Sequence, residues 1–596
     1  MNKSKILRSI GLVAAAALTL VACGKSNNTA NTANTANDEN AKTASKFPQA
    51  VPEKEAKQGG TLKYAIKTDT PFTGIFSDEL STTAIDSSVA EPGEESLFDT
   101  DDSYKITNKG PATFKLDRKA KTITITVKKG VKWSDGKQVN AKDLEYPYEI
   151  LANKKTKAQR YSSQFEEIVG MKEYHDGKAK TISGIEMPDG ESGRTVVLHF
   201  KEMKPGMLYS GNGYFWESAA PYHYLKDIPF DKLQSSDQIR KKPMFFGPFK
   251  VQKIVRGQSV TWVPNKYYWR GEPKLAKIVS QVVSDNSISQ SIKSNKFDVT
   301  EVVNSQWNEV KDTKNVNFVA QIPLSYHYLG FKVGKWDDKQ GKNVTNPKAK
   351  MNNKALRQAM GYAMNVSSVD QHYTSGLSFR IPTLIPAQFG DYYDKSAKGY
   401  GYNLKKANQL LDKAGYKKKG KWRVQPNGKP LTINFLAMTG SSVQEPTVQN
   451  YIQQWQKVGL NVKLVGGRLS EFNSFYDKIQ NDNPQVDVFM AGWSLASEPS
   501  PAALYGETSP MNYTRFVTPK NNKLLKEIDS PKSFNHSYRV DKFHEWQDYM
   551  NDEAYVIPLD NSYKVIAVNK KITGYSTNPS ENSNGHQLWY KVGFTK

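Results

Sequence analysis

The chain has 596 residues, a formal net charge of +24 and a single cysteine, Cys23. One cysteine excludes any disulfide within the chain. The basic residues are spread along the sequence with one short cluster at 417–421, a pattern that disfavours nucleic-acid binding. With 38% apolar residues the chain can bury a large core, divided over roughly two to four domains.

The N-terminus is predicted to be a signal peptide, residues 1–22. Lys3, Lys5 and Arg8 precede an apolar run that is too short to span a bilayer. The run ends in Leu-Val-Ala-Cys-Gly, which resembles a bacterial lipobox. That resemblance implies that Cys23 becomes a lipid-modified N-terminus, and a diacyl anchor would hold the protein on the membrane. The alternative is an ordinary signal peptide with a chance cysteine.

Residues 23–57 are predicted to be a disordered tether behind the anchor. They are polar, lack apolar periodicity and repeat Thr-Ala-Asn over residues 29–37. A flexible chain of this length spans about 30 Å, which would leave the folded part beside the membrane.

The fold is predicted to begin near Gly59, with alternating strands at 61–66 and 122–127. An Asp-Gly turn at 135–136 follows. Asn140 is then expected to cap a helix, which Pro147 should kink or shorten.

The second half of the sequence shows an α/β pattern. Apolar residues of one helical face recur from 355 to 364, and Asn403 caps a helix that Gly415 ends. A strand at 431–435, a helix from Pro446 and a strand at 460–464 form a βαβ unit, so a parallel sheet is expected. Further elements are predicted at 472–479 (helix), 486–493 (strand) and 540–550 (helix).

Motifs for catalysis or cofactor binding are missing from the sequence. It contains no His-Glu-x-x-His, no Gly-x-Ser-x-Gly, no phosphate loop ending in Gly-Lys-Ser/Thr, and no two histidines spaced i, i+4. We therefore expect no cofactor, no metal and no enzymatic activity. A pair of catalytic carboxylates among the 59 acidic residues stays open.

Several segments together resemble the oligopeptide-binding proteins of bacterial ABC importers, in the class that includes dipeptide- and nickel-binding receptors. The strand-to-helix segment 123–143 contains Trp-Ser-Asp-Gly at 133–136. Phe-Gly-Pro-Phe-Lys at 246–250, Asn-Lys-Tyr-Tyr-Trp at 265–269 and Arg-Gln-Ala at 357–359 match further landmarks. The resemblance covers nearly all of residues 58–596 and is closest to the large receptors of Gram-positive lactic bacteria. We expect these motif residues to determine the fold rather than to contact ligand.

The resemblance implies an α/β, two-lobe, hinged fold of the periplasmic-binding-protein type (type II, cluster C), with an extra domain inserted in the first lobe. The implied boundaries are the first lobe at 58–110, 210–323 and 556–596, the inserted domain II at 111–209, and the second large lobe, lobe III, at 324–555.

The resemblance also implies which segments border the cleft between the lobes. The expected ligand-binding residues are Asp69, Thr70, Pro71, Tyr326, Trp493, Ser494 and Glu498. Trp493 is expected to face the ligand, and backbone groups of the first loop and of Ser494 to pair with a peptide. Many relatives have an aspartate just after the Gly-Trp pair, which fixes the peptide α-amino group. This chain lacks it, and Glu498 is the nearest acid, so longer peptides with overhanging ends are expected to fit.

The implied function is that of a receptor on the extracellular face of the cell membrane. It would bind oligopeptides, close over them and deliver them to the permease subunits of an ABC importer, as a lipid-anchored monomer without nucleic acid. Alternatives are a receptor for another solute such as a metal chelate, haem or an oligosaccharide, a pheromone or signal-peptide receptor, a surface hydrolase, and a chaperone or adhesin.

Overall fold

The computed structural model describes residues 47–81, 83–583 and 586–596. The predicted signal peptide, Cys23 and residues 23–46 of the predicted tether lie outside the described residues. Within these ranges, none of the helices combines the length and the apolar character that crossing a membrane requires.

Residues 47–57 are part of the fold, which corrects the prediction that the tether extends to residue 57. The Phe47 ring lies 5.4 Å from that of Trp307, and Val51 is buried with its N–H donating to the Tyr575 carbonyl. Ala56–Lys57 forms a strand that pairs with Gly593–Thr595. The anchoring partners lie hundreds of residues away, so local composition could not reveal them.

The first lobe is built on a mixed seven-stranded sheet. Its central strand, Thr61–Lys67, is parallel to Lys277–Val283 and to Val299–Glu301. The order across the sheet is Val316–Gln321, Lys564–Asn569, Val299–Glu301, Thr61–Lys67, Lys277–Val283, Ser259–Pro264 and Phe249–Val255. The helices Ala84–Ala90 and Asp285–Lys293 flank it. Because the three parallel strands run the same way, their carboxyl ends meet at one edge.

The inserted domain carries a four-stranded antiparallel sheet in the order Ala112–Asp117, Thr122–Val127, Thr195–His199 and Ile185–Glu186. Alternate residues of Thr122–Val127 are buried, as the period-two pattern predicts. Leu97, Phe98 and Phe215, from outside the predicted range 111–209, belong to the same core. The inserted domain therefore shares its core with flanking first-lobe segments.

The helix Ala141–Ala152 is capped by Asn140, as predicted, and Asn140 and Asp143 form a reciprocal capping box. Pro147 lies inside this helix and does not end it. A proline at this position lacks the N–H that would bond the Asp143 carbonyl. The Ala220 N–H donates to that carbonyl instead, at 3.0 Å. A tertiary hydrogen bond thus replaces the missing helical one. Of the two predicted effects of Pro147, a kink or a shorter helix, the shortening does not occur.

The second lobe has a five-stranded sheet in the order Asn461–Leu464, Thr432–Leu436, Val488–Ser494, Ser325–Phe331 and Val556–Pro558. The first two strands are parallel and joined by a helix, which confirms the predicted βαβ unit. The principal helices are Lys354–Tyr362, Val366–Thr374, Leu404–Lys413, Gln444–Lys457, Phe472–Gln480, Pro519–Ile528 and His536–Glu553.

Two crossing segments join the lobes. Residues 322–324 connect the strand Val316–Gln321 to Ser325–Phe331, and residues 559–563 return to the first-lobe strand Lys564–Asn569. The Asn561 amide donates to the Pro323 carbonyl at 3.2 Å and accepts from the Ser325 hydroxyl at 3.3 Å. Val556–Pro558 still pairs within the second-lobe sheet, so the second crossing starts later than the predicted boundary at residue 556.

Candidate ligand-binding site

A cavity of about 650 Å³ opens at the carboxyl edge of the first-lobe sheet. In open α/β sheets, ligands bind outside the carboxyl ends of the strands. The wall of the cavity includes Lys67, Glu91, Arg160, Glu301 and Lys564. Lys67 and Glu301 are the last residues of two parallel strands, which explains why their side chains meet.

Glu301 forms ion pairs with two lysines of the cavity wall. Its carboxylate lies 2.5 Å from the Lys67 ammonium and 3.5 Å from that of Lys564. Burial alone would raise the pKa of Glu301, but the two lysines outweigh burial, and the pKa lies below its usual value of 4.5. Lys564 forms the longer of the two ion pairs with Glu301 and is substantially exposed, so its ammonium has hydrogens available for other acceptors.

Glu91 and several uncharged polar side chains complete the cavity wall. Glu91 accepts from the Tyr64 hydroxyl at 3.3 Å and from the Gln587 N–H at 2.8 Å, so its carboxylate is held by the protein. The remaining polar side chains of the wall are Ser81, Thr83, Ser87, Ser88, Gln159, Gln321, Tyr575, Ser576, Thr577 and Gln587. Such a surface can hydrogen-bond main-chain amides of a ligand and keep bridging water.

A second cavity of about 520 Å³ lies beside the first and shares Ser87 and Arg160 with it. Its wall carries the carboxyl groups of Asp78, Glu94, Glu95 and Glu217. Burial raises the pKa of Glu217 to about 7, although its carboxylate accepts from the Ser210 hydroxyl and the Gly211 N–H. Arg160 therefore separates a lysine-containing space from a carboxyl-lined one.

The second lobe contributes the end of the strand Val488–Ser494. The Trp493 ring is half-buried and stacks at 5.5 Å on Tyr513 and at 6.2 Å on Tyr328. Ser494 is exposed and lies opposite Ser325, and the next residue, Leu495, donates its N–H to the carbonyl of Leu324. Trp493 and Ser494 therefore lie beside the first crossing segment, close to the strand whose last residue, Gln321, lines the cavity.

The remaining predicted site residues occupy different surroundings. Asp69, Thr70 and Pro71 are exposed on the loop that leaves the central strand, where Asp69 accepts from the Asp285 N–H at 3.3 Å. They lie at the same edge as the cavity but do not line it. Tyr326 is buried in the second-lobe core, and its hydroxyl lies 2.8 Å from that of Tyr505, so its side chain does not reach the cavity.

Glu498 is paired within the second lobe. Its carboxylate accepts from the Arg539 guanidinium and, at 2.9 Å, from the Ser500 N–H. Burial raises the pKa of Glu498, and Arg539 opposes that effect. This carboxylate is therefore engaged by the protein itself.

Sequence analysis did not assign Arg160, Glu301 or Lys564 to the site. These residues are separated by more than a hundred positions and follow no motif. The one local signal is a charged residue at the end of a strand. Lys67 and Glu301 both occupy such a position. In the described part of the chain, no three His, Cys, Asp or Glu side chains are grouped so that they could hold a metal ion.

Comparison with known sequences places the chain in a family. The model for bacterial extracellular solute-binding proteins, family 5 middle region, matches residues 107–515. The oligopeptide-binding protein OppA of Lactococcus lactis subsp. lactis is 40% identical over 584 residues, which cover 96% of each chain. The oligopeptide-binding protein AppA of Bacillus subtilis is 24% identical over 562 residues, covering 92% of this chain and 95% of AppA.

Solved structures agree with that placement. Lactococcal OppA, complexed with an endogenous peptide in the closed conformation, superposes with a TM-score of 0.79 at 40% identity and covers 90% of this chain and 100% of its own. Bacillus subtilis AppA in complex with a nonapeptide has the same fold, with a TM-score of 0.67 at 21% identity over 91% of this chain and 100% of AppA. The expected fold class is confirmed. The chain therefore belongs to the bacterial extracellular solute-binding proteins of family 5.

Proposed function

We propose that this protein binds oligopeptides outside the cell, in the space between its two lobes, and delivers them to an ABC importer. The observation that carries the proposal is the position of the polar cavity, at the carboxyl edge of the first-lobe sheet and beside the crossing segments. The full-length similarity to the lactococcal oligopeptide-binding protein supports peptides as the ligand class.

The chemistry of the cavity suits a ligand with many main-chain amides. Each buried peptide amide left without a partner would cost about 1–3 kcal/mol, so a peptide site must supply donors and acceptors. Lys564, Arg160 and the hydroxyl-bearing residues of the wall can do so, while hydrated space tolerates varied side chains.

The proposal is tested by native mass spectrometry of protein purified from its host. The expected result is a set of bound species that give peptide fragmentation spectra and are displaced by added peptide. Bound haem, a metal chelate or an oligosaccharide would instead identify a different solute. Added peptide that is cleaved during incubation would mean that the protein is a hydrolase.

We also propose that the protein is a monomer held on the outer face of the membrane through a lipid on Cys23, and that the permease subunits of the importer receive its peptide. The Leu-Val-Ala-Cys-Gly sequence at 20–24 supports the anchor. Fatty-acid labelling in cells should mark the wild-type protein and not Cys23→Ala. Labelling of both would reject Cys23 as the attachment site.

The peptide α-amino group is not expected to be fixed by a carboxylate of the second lobe. Glu498 is held by Arg539 and Ser500, and Ser494 follows Trp493 where many relatives have an aspartate. We predict that N-acetylated peptides bind with nearly the affinity of the same peptides with free N-termini, as measured by calorimetry. A large loss of affinity on acetylation would show that a carboxylate outside the second lobe, such as those lining the two cavities, fixes the N-terminus.

A further inference from the structure

The inserted domain touches the second lobe through residues that line neither of the two cavities described above. The segment Pro205–Leu208 and Tyr209 lie against Tyr392, Glu498 and Phe534 of the second lobe. Tyr209 packs against the hydrophobic core of the second lobe, while Phe534 packs against the core of the inserted domain. We call this set of residues the closure contact, because it exists only when the two lobes are together.

The approach is closest at Gly206. A Cβ atom built on Gly206 would lie 2.6 Å from Cγ and 2.8 Å from Cδ of Glu498. Gly206 is in a helical turn, and its backbone is not in the left-handed region that favours glycine. The local conformation of the inserted domain would therefore accept alanine. The need for glycine arises from the second lobe.

Glu498 cannot easily move away from such a Cβ. Its carboxylate is held by Arg539 and by the Ser500 N–H, and Arg539 is only 1% exposed. The Arg539 guanidinium also donates to the Ile528 carbonyl at 3.1 Å and lies 3.4 Å from Asp529, which in turn accepts from the Ser500 hydroxyl. Glu498 is thus fixed from several sides.

Two further contacts join the inserted domain to the second lobe. The hydroxyl groups of Tyr209 and Tyr392 lie 3.2 Å apart, across the two lobes. The Arg118 guanidinium of the inserted domain lies 4.4 Å above the Phe534 ring. The limit on side-chain size at position 206 comes from Glu498 itself, which lies closer to a built Cβ than ordinary contact allows.

We propose that Gly206 and Glu498 are positioning residues for closure. Because Gly206 has no side chain, its backbone packs directly against the fixed Glu498 side chain, which permits the lobes to close over bound peptide. The proposal reassigns Glu498 from ligand binding to the contact between lobes. It rests on the proposed function in that peptide binding provides the readout.

The direct test is Gly206→Ala in the full-length chain, with Gly401→Ala as the matched control. A Cβ on Gly401 meets nothing within 4 Å, and its backbone is likewise outside the left-handed region. Because a ligand closed over by both lobes leaves more slowly, the clash should act on dissociation. Gly206→Ala should bind peptide about tenfold more weakly, or ~1.4 kcal/mol, mainly through faster dissociation.

The thermal unfolding midpoint of both ligand-free variants should match that of the wild type, and small-angle scattering with peptide should show less compaction for Gly206→Ala. Unchanged affinity and compaction in Gly206→Ala would overturn the proposal. So would equal losses in both variants. Wild-type protein that binds no peptide at all would instead reject the proposed function, and scattering with whichever ligand is found would then test closure separately.

Glu498→Gln separates closure from ligand recognition. The amide keeps the shape of the side chain but weakens its pairing with Arg539. If Glu498 acts in closure, this variant should lose the same factor of affinity for free and N-acetylated peptides. A loss confined to peptides with a free α-amino group would show that Glu498 binds the ligand and would overturn the reassignment.

Discussion

Asp143 illustrates how one buried side chain holds several segments of the inserted domain together. Its carboxylate accepts from the Trp133 indole at 2.9 Å, from the Asn140 N–H at 3.1 Å and from the Tyr222 N–H at 2.9 Å. Trp133 belongs to the Trp-Ser-Asp-Gly motif, so the structure explains that motif by a fold contact and not by a ligand contact.

Asp143→Ala is predicted to lower the free energy of unfolding by roughly 3 kcal/mol, because it leaves buried donors without an acceptor. Urea denaturation followed by tryptophan fluorescence measures the change. Asp312→Ala, which removes an exposed carboxylate, should leave the midpoint unaltered. Equal stability of the two variants would mean that the Asp143 hydrogen bonds contribute nothing net.

Glu301 makes a pH-dependent contribution at the scale of a single residue. Its pKa is lower in the folded protein than in the unfolded chain. The ionised carboxylate therefore stabilises the fold at pH values above the pKa of the unfolded chain. This stabilisation is lost as the pH falls through the pKa of the folded protein. Glu301→Gln should destabilise the protein at neutral pH, and the difference from wild type should shrink at an acidic pH below the pKa of the unfolded chain.

The measurement is chemical denaturation of both proteins at the two pH values. Glu309→Gln serves as the control, since Glu309 is exposed and its contact with Lys293 is 3.6 Å long. Exposed pairs of this kind contribute little. A Glu301→Gln effect that is the same at both pH values would contradict the assigned role of the two lysines.

At the scale of elements, the sequence correctly predicted features that depend on neighbouring residues, such as helix caps. Asn140 and Asn403 accept from the backbone N–H three residues later, as their positions before apolar periods indicated. The sequence did not predict that the helix continues through Pro147, because the compensating hydrogen bond comes from Ala220. It also did not predict that residues 47–57 are folded, because their partners, such as Trp307 and Tyr575, lie far along the chain. The residues of the cavity wall were not predicted for the same reason, because they come from distant parts of the chain.

The N-terminal segment offers a test at this scale. A chain that begins at Phe47 keeps the ring contacts of Phe47, the buried Val51 and the strand Ala56–Lys57. A chain that begins at Gln58 loses all three and leaves Gly593–Thr595 without one neighbour. We predict that the shorter chain is less stable by roughly 3 kcal/mol or more, as measured by denaturation. Equal stability would place residues 47–57 outside the cooperative fold.

At the scale of the whole molecule, the crossing segments and the closure contact join the lobes in different ways, beside further contacts such as the hydrogen bond from the Asn308 amide to the Ser375 hydroxyl at 2.6 Å. The crossing segments are covalent and permanent, and Asn561 bonds them to each other. The closure contact is non-covalent and pairs side chains fixed within each lobe. A ligand can shift the balance between open and closed forms only through its different affinity for the two, so any change at the closure contact alters apparent affinity without touching the ligand.

The pairing of Ala56–Lys57 with Gly593–Thr595 puts the first and last strands of the described chain side by side in the first lobe. In the described chain, the covalent connection between the two lobes runs through the two crossing segments. A support fastened upstream of residue 47 would therefore keep the first lobe stationary, and opening would swing the second lobe and its helices outwards. Any membrane partner that senses occupancy would then detect the displacement of the second lobe relative to a fixed base.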